Sequence, residues 1–566
     1  MGAETGSNAL DALLHDVWQD RLTRSTTLRV QHGQPIERFE QFTLAHHRET
    51  LAARDDFRAR LAAIRKSQLS PDELLSYSIL EFELADDGTN DDDFWLTFDL
   101  TAYQAPYSLR FAETYLRGFT FESLSDNEEY CRLLASYSES LRQLAEKVAM
   151  QAERGIYLSA AAHGPTRQIW LDRREMVDAA LRVDYSRIAH MPEREKALFI
   201  DRTNQIVDAV VLVAFDQILA QLNEQYLSNS PETVGLMHYP NGRAVYDRQV
   251  RRHTSLLMTA EEIHLLGLRQ VSELAHAMNE LRDEMGVDVP KDAFHEQLRQ
   301  DPRYIAKNPG EVARRYEHFM DLVEPRLNEF FRLMPKAPFG IKQVDASAEA
   351  GLTFGYYSPP SPTQPSGYYL FNGSQLDQRS MIGAAALIVH ELLPGHHFHL
   401  ALQQEDPDLP MFRRYYMPTA YMEGWAEYAG FLGHELGVYD DPMDRYGRYL
   451  SESFLAVRLV VDTGMNAMGW TLEEARSYML DNSFMSELEV ASESLRYATS
   501  LPGQALAYRI GSQTMIDLRK EAEVRLGEEF DIRDFHDVVL ESGSIPLTVL
   551  EERIDEYIDQ KPSSLR

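Results

Sequence analysis

Cysteine is nearly absent. Cys131 is the single thiol in 566 residues. One thiol makes no internal disulfide and no cysteine-based zinc site, and the chain suits a reducing compartment. Positive charge is scarce too. Lys and Arg number 56 against 89 Asp and Glu, a formal net charge of −33. Phosphate binding needs a basic face, so a nucleic-acid partner and an anionic membrane are not expected. Long apolar runs are missing. The longest, Ala209–Phe215 and Met381–Val389, fall far short of the roughly 18 residues of a membrane span. The start, Met-Gly-Ala-Glu-Thr-Gly-Ser, has neither the basic nor the apolar region of a leader. These absences together lead to the expectation of a soluble, cytoplasmic protein. Three catalytic signatures are lacking as well: the Gly-x-Ser-x-Gly elbow, the Gly-x-x-x-x-Gly-Lys loop and the Gly-x-Gly-x-x-Gly fingerprint.

What remains is a globular composition, 44% hydrophobic and 26% charged, with helical periodicity dominant. Asp126 to Gly155 places Tyr130, Leu133, Leu134, Tyr137, Leu141 and Leu144 on one face. Thr259-Ala-Glu-Glu262 is a capping box opening a helix that runs to Gly286. Gly310–Leu333 and Gln504–Leu526 are two further helical stretches. Strand signals are few. Phe94–Leu100 alternates like a strand, and Thr353–Tyr357 and Gly367–Phe371 flank a Pro/Ser-rich loop as a hairpin or an edge would. Asp86, Asp87 and Asp91–Asp93 read as a solvated acidic loop, since their spacing fits no EF-hand. A soft boundary near Pro335–Gly340 separates a helical scaffold portion, 1–340, from a portion rich in unusual residues, 341–566, within one integrated fold.

Histidine clusters once, in His390-Glu391-Leu-Leu-Pro394-Gly395-His396-His397-Phe-His399. His-Glu pairs also occur at His295 and His434. Neither has a second histidine at useful spacing, and both read as surface helix. In His-Glu-x-x-His the two ligands sit one turn apart on one helical face, but position 394 is proline. On an unbroken helix His396 would stand ~120° round from His390, and His397 ~10.5 Å further along the axis. Neither could share an ion with His390 through bonds of about 2 Å. A break is therefore expected at Pro394-Gly395, where the ring removes a donor and glycine tolerates unusual dihedrals. His396 then takes the i+4 place, with His397 as the alternative.

Downstream, Glu423 and Glu427 are i and i+4 in Met422-Glu-Gly-Trp-Ala-Glu-Tyr428. This is the arrangement of a metal-binding glutamate with a second carboxylate that orients a histidine ligand. Zn2+ held by His390, His396 and Glu423 would lower the pKa of water, and Glu391 would be the general base. Tyr508 or Tyr497 could donate to an oxyanion, and Arg496 or Arg509 could hold a substrate carboxylate. Two His and one Glu also suit non-haem iron, and a non-catalytic helical binding protein is a further alternative.

The joint motifs His390-Glu-Leu-Leu-Pro-Gly-His-His397, Glu423-Gly-Trp-Ala-Glu-Tyr428, Pro502-Gly-Gln-Ala-Leu-Ala-Tyr508, Phe535-His-Asp537 and Tyr239-Pro-Asn-Gly242 resemble a large bacterial domain-of-unknown-function family. That family carries His-Glu-x-x-Pro-Gly-His-His and is similar in fold to carboxypeptidase Taq-type metallocarboxypeptidases. The resemblance implies a mainly α, gluzincin-like fold with a deep cleft and a small β element at the site. The residues taken together lead to the expectation of a zinc-dependent metallopeptidase, with Arg496 or Arg509 in the cleft favouring a carboxypeptidase or dipeptidase type. The expected partner is a short peptide, with a homodimer left open.

Overall fold

The computed structural model describes residues 6–85, 88–344 and 355–561. It is mainly helical, with one small three-stranded sheet. The scaffold centres on α1 (Leu124–Glu153), whose Tyr130, Leu133, Leu134, Tyr137 and Leu141 are fully buried. Gly155 follows it with φ +72°, the left-handed turn that ends a helix. Cys131 is buried on this helix as a core residue. The Thr259 capping box opens α2 (Ala260–Glu284) as the sequence predicts, and Gly286 follows at φ +70°. Between these helices lies the helical run Glu193–Asn229. It is long and apolar enough, by composition alone, to cross a membrane. Its Val207, Val211, Phe215 and Ile218 are wholly buried in the core, while Val210 and Val213 on the other side are exposed, so one face of the run packs inward.

Two expectations in the first hundred residues fail for one reason. Phe94–Leu100 is not a strand, and Asp91–Asp93 are not a solvated loop. Asn90 caps a short helix, Asp91–Trp95, in a capping box with Asp93. Acidic residues in a first turn favour that helix start, and Phe94, Trp95 and Leu96 are consecutive apolar residues, so the alternation is incomplete. Asp93 is buried and pairs with Arg248 at 2.7 Å. Asp86 and Asp87 lie outside the described residues.

The sheet is β1 (Phe339–Gln343), β2 (Gly355–Ser358) and β3 (Gly367–Phe371), in the order β1-β3-β2. The hairpin expected around the Pro/Ser-rich loop is present as the antiparallel β2–β3 pair, with Tyr357 opposite Tyr369. Thr353 lies outside the described residues. β1 pairs parallel with β3, so β3 is the central strand. Both its sides are taken, so Gly367–Phe371 is not an edge strand.

The site is assembled from α3 (Ala384–Glu391), α4 (His396–Glu405), α5 (Thr419–Leu432), α6 (Pro442–Ala467), α7 (Glu487–Leu495) and α8 (Ala507–Leu526). Gly424 of α5 and Gly511 of α8 let these helices cross closely, since a Cβ on Gly424 would lie 2.5 Å from Gly511 backbone. That approach brings Tyr508 of α8 towards Glu423 of α5. One hydrophobic core cluster joins Leu10 and Leu13 to α3, α5 and Ile558, so chain ends and site helices share their packing. His295 is a correction. It is buried in a separate cluster with Phe294 and Tyr446, not on a surface helix, and bonds the Tyr446 hydroxyl at 2.8 Å.

Candidate metal centre

The helix breaks where Pro394 requires it. α3 ends at Glu391, Leu392 leaves helical space at φ −113°, ψ −93°, and α4 restarts at His396. The Leu393–Pro394 bond is cis. Gly395 folds back on the end of α3 so tightly that a Cβ there would lie 1.9 Å from the His390 carbonyl oxygen. Only glycine fits that approach. Trp425 of α5 pins the turn, donating its indole N–H to the Pro394 carbonyl at 2.8 Å. The two motifs that stand out in the sequence are thus tied to each other by a hydrogen bond.

The break turns His396 back onto His390. Their rings lie 4.6 Å apart at 81°. The Glu423 Oε2 atom sits 3.5 Å from His390 Nε2 and 3.3 Å from His396 Nε2. One donor atom from each of the three residues lies within 4.8 Å of the others. Glu423 Oε2 is buried yet has no hydrogen-bond partner. An orphaned carboxylate oxygen facing two imidazole nitrogens fits a divalent cation with nitrogen and oxygen ligands. Burial opposes charge on His390, but the Glu423 and Glu427 carboxylates outweigh it and lift its pKa to about 10. Glu423 is likewise opposed by burial and held well below the carboxylate range by His396 and His390.

His397 leaves this cluster. Its Nε2 donates to the Ala337 carbonyl at 3.1 Å, so its Nδ1 accepts from the Tyr357 hydroxyl at 2.9 Å. Burial lowers its pKa to about 4, keeping the ring neutral for both roles. The sequence offered His397 as the alternative to His396, and its two ring nitrogens instead meet the Ala337 carbonyl and β2. Glu427 serves His390, lying 2.8 Å from its Nδ1. Arg448 donates to the other Glu427 oxygen at 2.9 Å and to Glu452 at 2.9 Å. Burial raises and Arg448 lowers the Glu427 pKa, which settles at about 2. His399 is a core histidine, 3.0 Å from the Ser544 hydroxyl.

Glu391 exposes 8% of its surface beside this cluster, and burial raises its pKa. That is the direction a proton acceptor working near neutrality needs. His390, Glu391, His396 and Glu423 expose 8 or 9% each. The donors are therefore enclosed, not spread on an open cleft floor.

The four candidates for binding the reacting groups separate. Tyr508 stacks on His390, rings 6.3 Å apart at 13°, and is half-buried. Tyr497 is fully buried and its hydroxyl is used, donating to Glu493 and accepting from Arg458 Nε at 2.8 Å. Arg509 is committed to Gln270 at 2.9 Å and to Glu452 at 3.2 Å. Arg496 bonds Glu493 and Gln504, and its Nε is buried without a partner.

Sequence reasoning missed Arg448, Glu452 and Arg458. Their signal is present in α6. Arg448, Glu452, Arg458 and Asp462 fall on a helix otherwise filled with Leu455, Ala456, Val457, Leu459, Val460 and Val461, all buried. Charges inside so apolar a helix mark a paired network.

A mainly helical fold carrying a buried His-His-Glu cluster is the class that fold and site define. Within it, the chain belongs to the family of bacterial proteins of unknown function DUF885, which matches residues 24–554. No curated protein matches it. Two solved structures, each described as a "putative lipoprotein", are similar. The one from Colwellia psychrerythraea has a TM-score of 0.87 at 24% identity, covering 98% of this chain and 100% of that one. The one from Shewanella oneidensis, of unknown function, has a TM-score of 0.73 at 19% identity, covering 97% and 99%. At these identities they show the fold alone. Their descriptions overturn the cytoplasmic expectation, since a lipoprotein is membrane-anchored or secreted. A chain that needs no disulfide is as viable in an oxidising compartment as in a reducing one, so a single cysteine does not fix the compartment.

Proposed function

We propose that this protein is a zinc-dependent metallopeptidase of carboxypeptidase or dipeptidase type, acting on short peptides. The observation that carries the reading is the convergence of His390, His396 and Glu423 donor atoms within 4.8 Å, with Glu391 next in sequence to His390. His390, His396 and Glu423 would hold the ion. When bound, it would supply Lewis acidity, lowering the pKa of water and polarising a carbonyl. Glu391 would accept the water proton and pass it to the leaving amine. Tyr508 would donate its hydroxyl to the carbonyl oxygen as negative charge develops there. Glu427, held by Arg448, would orient His390. The enclosed setting excludes folded proteins and favours short peptides. The zincin-like mechanism and the likeness to carboxypeptidase Taq rest on the motif set, and the substrate on the enclosure.

The test is metal analysis of the purified protein with a screen of free and blocked dipeptides and tripeptides. About one zinc per chain and peptide hydrolysis are expected. Bound iron with no hydrolysis would favour the non-haem metal enzyme. A protein with neither metal nor hydrolysis would favour the binding module.

A further inference from the structure

Beside Tyr508 lies a cationic cluster that holds no ligand of the metal centre. Arg458 comes from α6, Glu493 from α7, and Arg496 and Tyr497 from the π-helical turn Arg496–Ser500 that follows α7. Glu493 accepts from Arg458 at 3.2 Å, from Arg496 at 3.2 Å and from the Tyr497 hydroxyl. Two guanidinium groups thus share one carboxylate. Burial works against ionisation of Glu493, but Arg496 and Arg458 hold its pKa at about 2, so the carboxylate is charged and fully engaged. Asp462 of α6 forms no ion pair with either arginine: it feels Arg496 only through its field and accepts from the Tyr246 hydroxyl at 2.7 Å and the Gly503 N–H at 3.0 Å.

The side chains of Arg458 and Arg496 are each 8% exposed. A guanidinium buried that far without its own counter-charge is costly, and such groups are paired or await an anion. This excess of positive charge stands in a chain whose net charge is −33. It is therefore not part of a general basic surface.

The cluster reaches the metal centre through a single ring. Tyr508 stacks on His390 at 6.3 Å, and the Arg458 guanidinium lies 4.9 Å from the centre of the same ring. An extended peptide advances about 3.3–3.6 Å per residue. One or two residues would span the interval between a carbonyl at the ligand cluster and a carboxylate at Arg458. Tyr103 covers the outer side, with the Arg496 guanidinium 4.7 Å from its ring centre, and is itself 39% exposed. An exposed aromatic ring thus lies between Arg496 and solvent.

We infer that Arg458 and Arg496 form the subsite that binds the C-terminal carboxylate of the peptide, so that the protein removes one or two residues from a free C-terminus. This rests on the metallopeptidase reading for the cleavage step, but the anion subsite itself does not. Arg458 would take the carboxylate through the side of its guanidinium not used by Tyr497 and Glu493. Arg496 would add field, with Glu493 keeping both planes in place.

The experiment compares trialanine with trialanine amide in two readouts. Binding to the metal-free protein is followed by calorimetry, and hydrolysis by the zinc-loaded protein is followed by product analysis. The free acid should bind the wild-type protein at least about tenfold tighter than the amide, as a charge-assisted pair in a dry site implies. The same ratio should appear in KM for hydrolysis. In Arg458→Gln the acid-to-amide ratio should fall to near one in both readouts, and Arg458→Lys should restore part of it. Should Arg458→Gln fail to fold, the wild-type ratio and the Arg458→Lys ratio still decide. Equal binding of acid and amide by the wild-type protein, or a ratio unchanged in a folded Arg458→Gln, overturns the subsite. Preferential acid binding without any hydrolysis would keep the subsite and overturn the metallopeptidase reading.

Discussion

Two buried carboxylates on different helices of the site region, Asp462 of α6 and Glu423 of α5, are treated in opposite ways. Asp462 is fully buried and closed. Its oxygens accept from the Tyr246 hydroxyl at 2.7 Å, from the Gly503 N–H at 3.0 and 3.1 Å and from Asn466 at 3.4 Å. No cation touches it, and burial lifts its pKa to about 7. Glu423 has no donor on Oε2, only two imidazole nitrogens at 3.3 and 3.5 Å. A buried polar group left without a donor costs about 1–3 kcal/mol, more when charged. The fold satisfies Asp462 with two side-chain donors and one backbone N–H and leaves Glu423 open. The difference separates a carboxylate closed by its donors from one left open, and the metal reading rests on the open one.

The sharpest way to break that comparison is at Glu391, beside the open cluster. Glu391→Gln should leave metal content and fold intact while cutting kcat on the order of 10³-fold or more, because base and charge are lost together. Peptide hydrolysis at the wild-type rate would remove Glu391 from the mechanism. Next in size is loss of the ion. His390→Ala, His396→Ala and Glu423→Ala should each abolish stoichiometric zinc, measured by elemental analysis. His397→Ala should retain zinc and lose activity only in part, since its two bonds go to Tyr357 and Ala337. Zinc lost in His397→Ala and kept in His396→Ala would exchange their roles.

Much of the open cluster was legible in the chain because local covalent limits govern it. Pro394 cannot donate to the turn before it, so a break, and with it the return of His396, follows from the residue type. Glu423 and Glu427 are one turn apart on any helix. The supporting layer was not legible. Arg448, Gln270 and Tyr357 reach the site from three other elements, and nothing local to them says so. The sheet shows the same limit. The β2–β3 hairpin is a local event, whereas the parallel pairing of β1 that makes β3 central spans a loop between distant strands. Asp91–Asp93 misled because Asn90, a capping residue, decided their conformation.

A smaller effect should come from the layer behind the ligands. Glu427→Gln keeps the size of the side chain but removes the charge that faces His390 Nδ1 and Arg448. Zinc affinity should fall about 10- to 100-fold, measured by competition with a chelator, with the metal still bound at saturation. Complete loss of zinc would make Glu427 a ligand, and an unchanged affinity would make it a structural partner of Arg448 alone.

The smallest effect tests the closed carboxylate. The unfolded-state pKa of Asp462 is near 3.8 and burial raises it to about 7 in the folded protein. Between those values the folded state holds a proton that the unfolded state has released, so the stability this group contributes falls as pH rises. It is fully present below pH 3.8 and lost once the pH passes 7. Asp462→Asn removes the titration and keeps an acceptor for the Tyr246 hydroxyl and the Gly503 N–H. The difference in Tm, variant minus wild type, should therefore grow in favour of the variant from pH 5 to pH 8. For a chain of this length the gain is small, roughly 1 °C for each kcal/mol, so paired scans across the pH series are the measurement. A difference that stays flat would mean that Asp462 is ionised in the folded protein at pH 5, compensated by the field of Arg496. The two buried carboxylates would then differ in their partners but not in their charge.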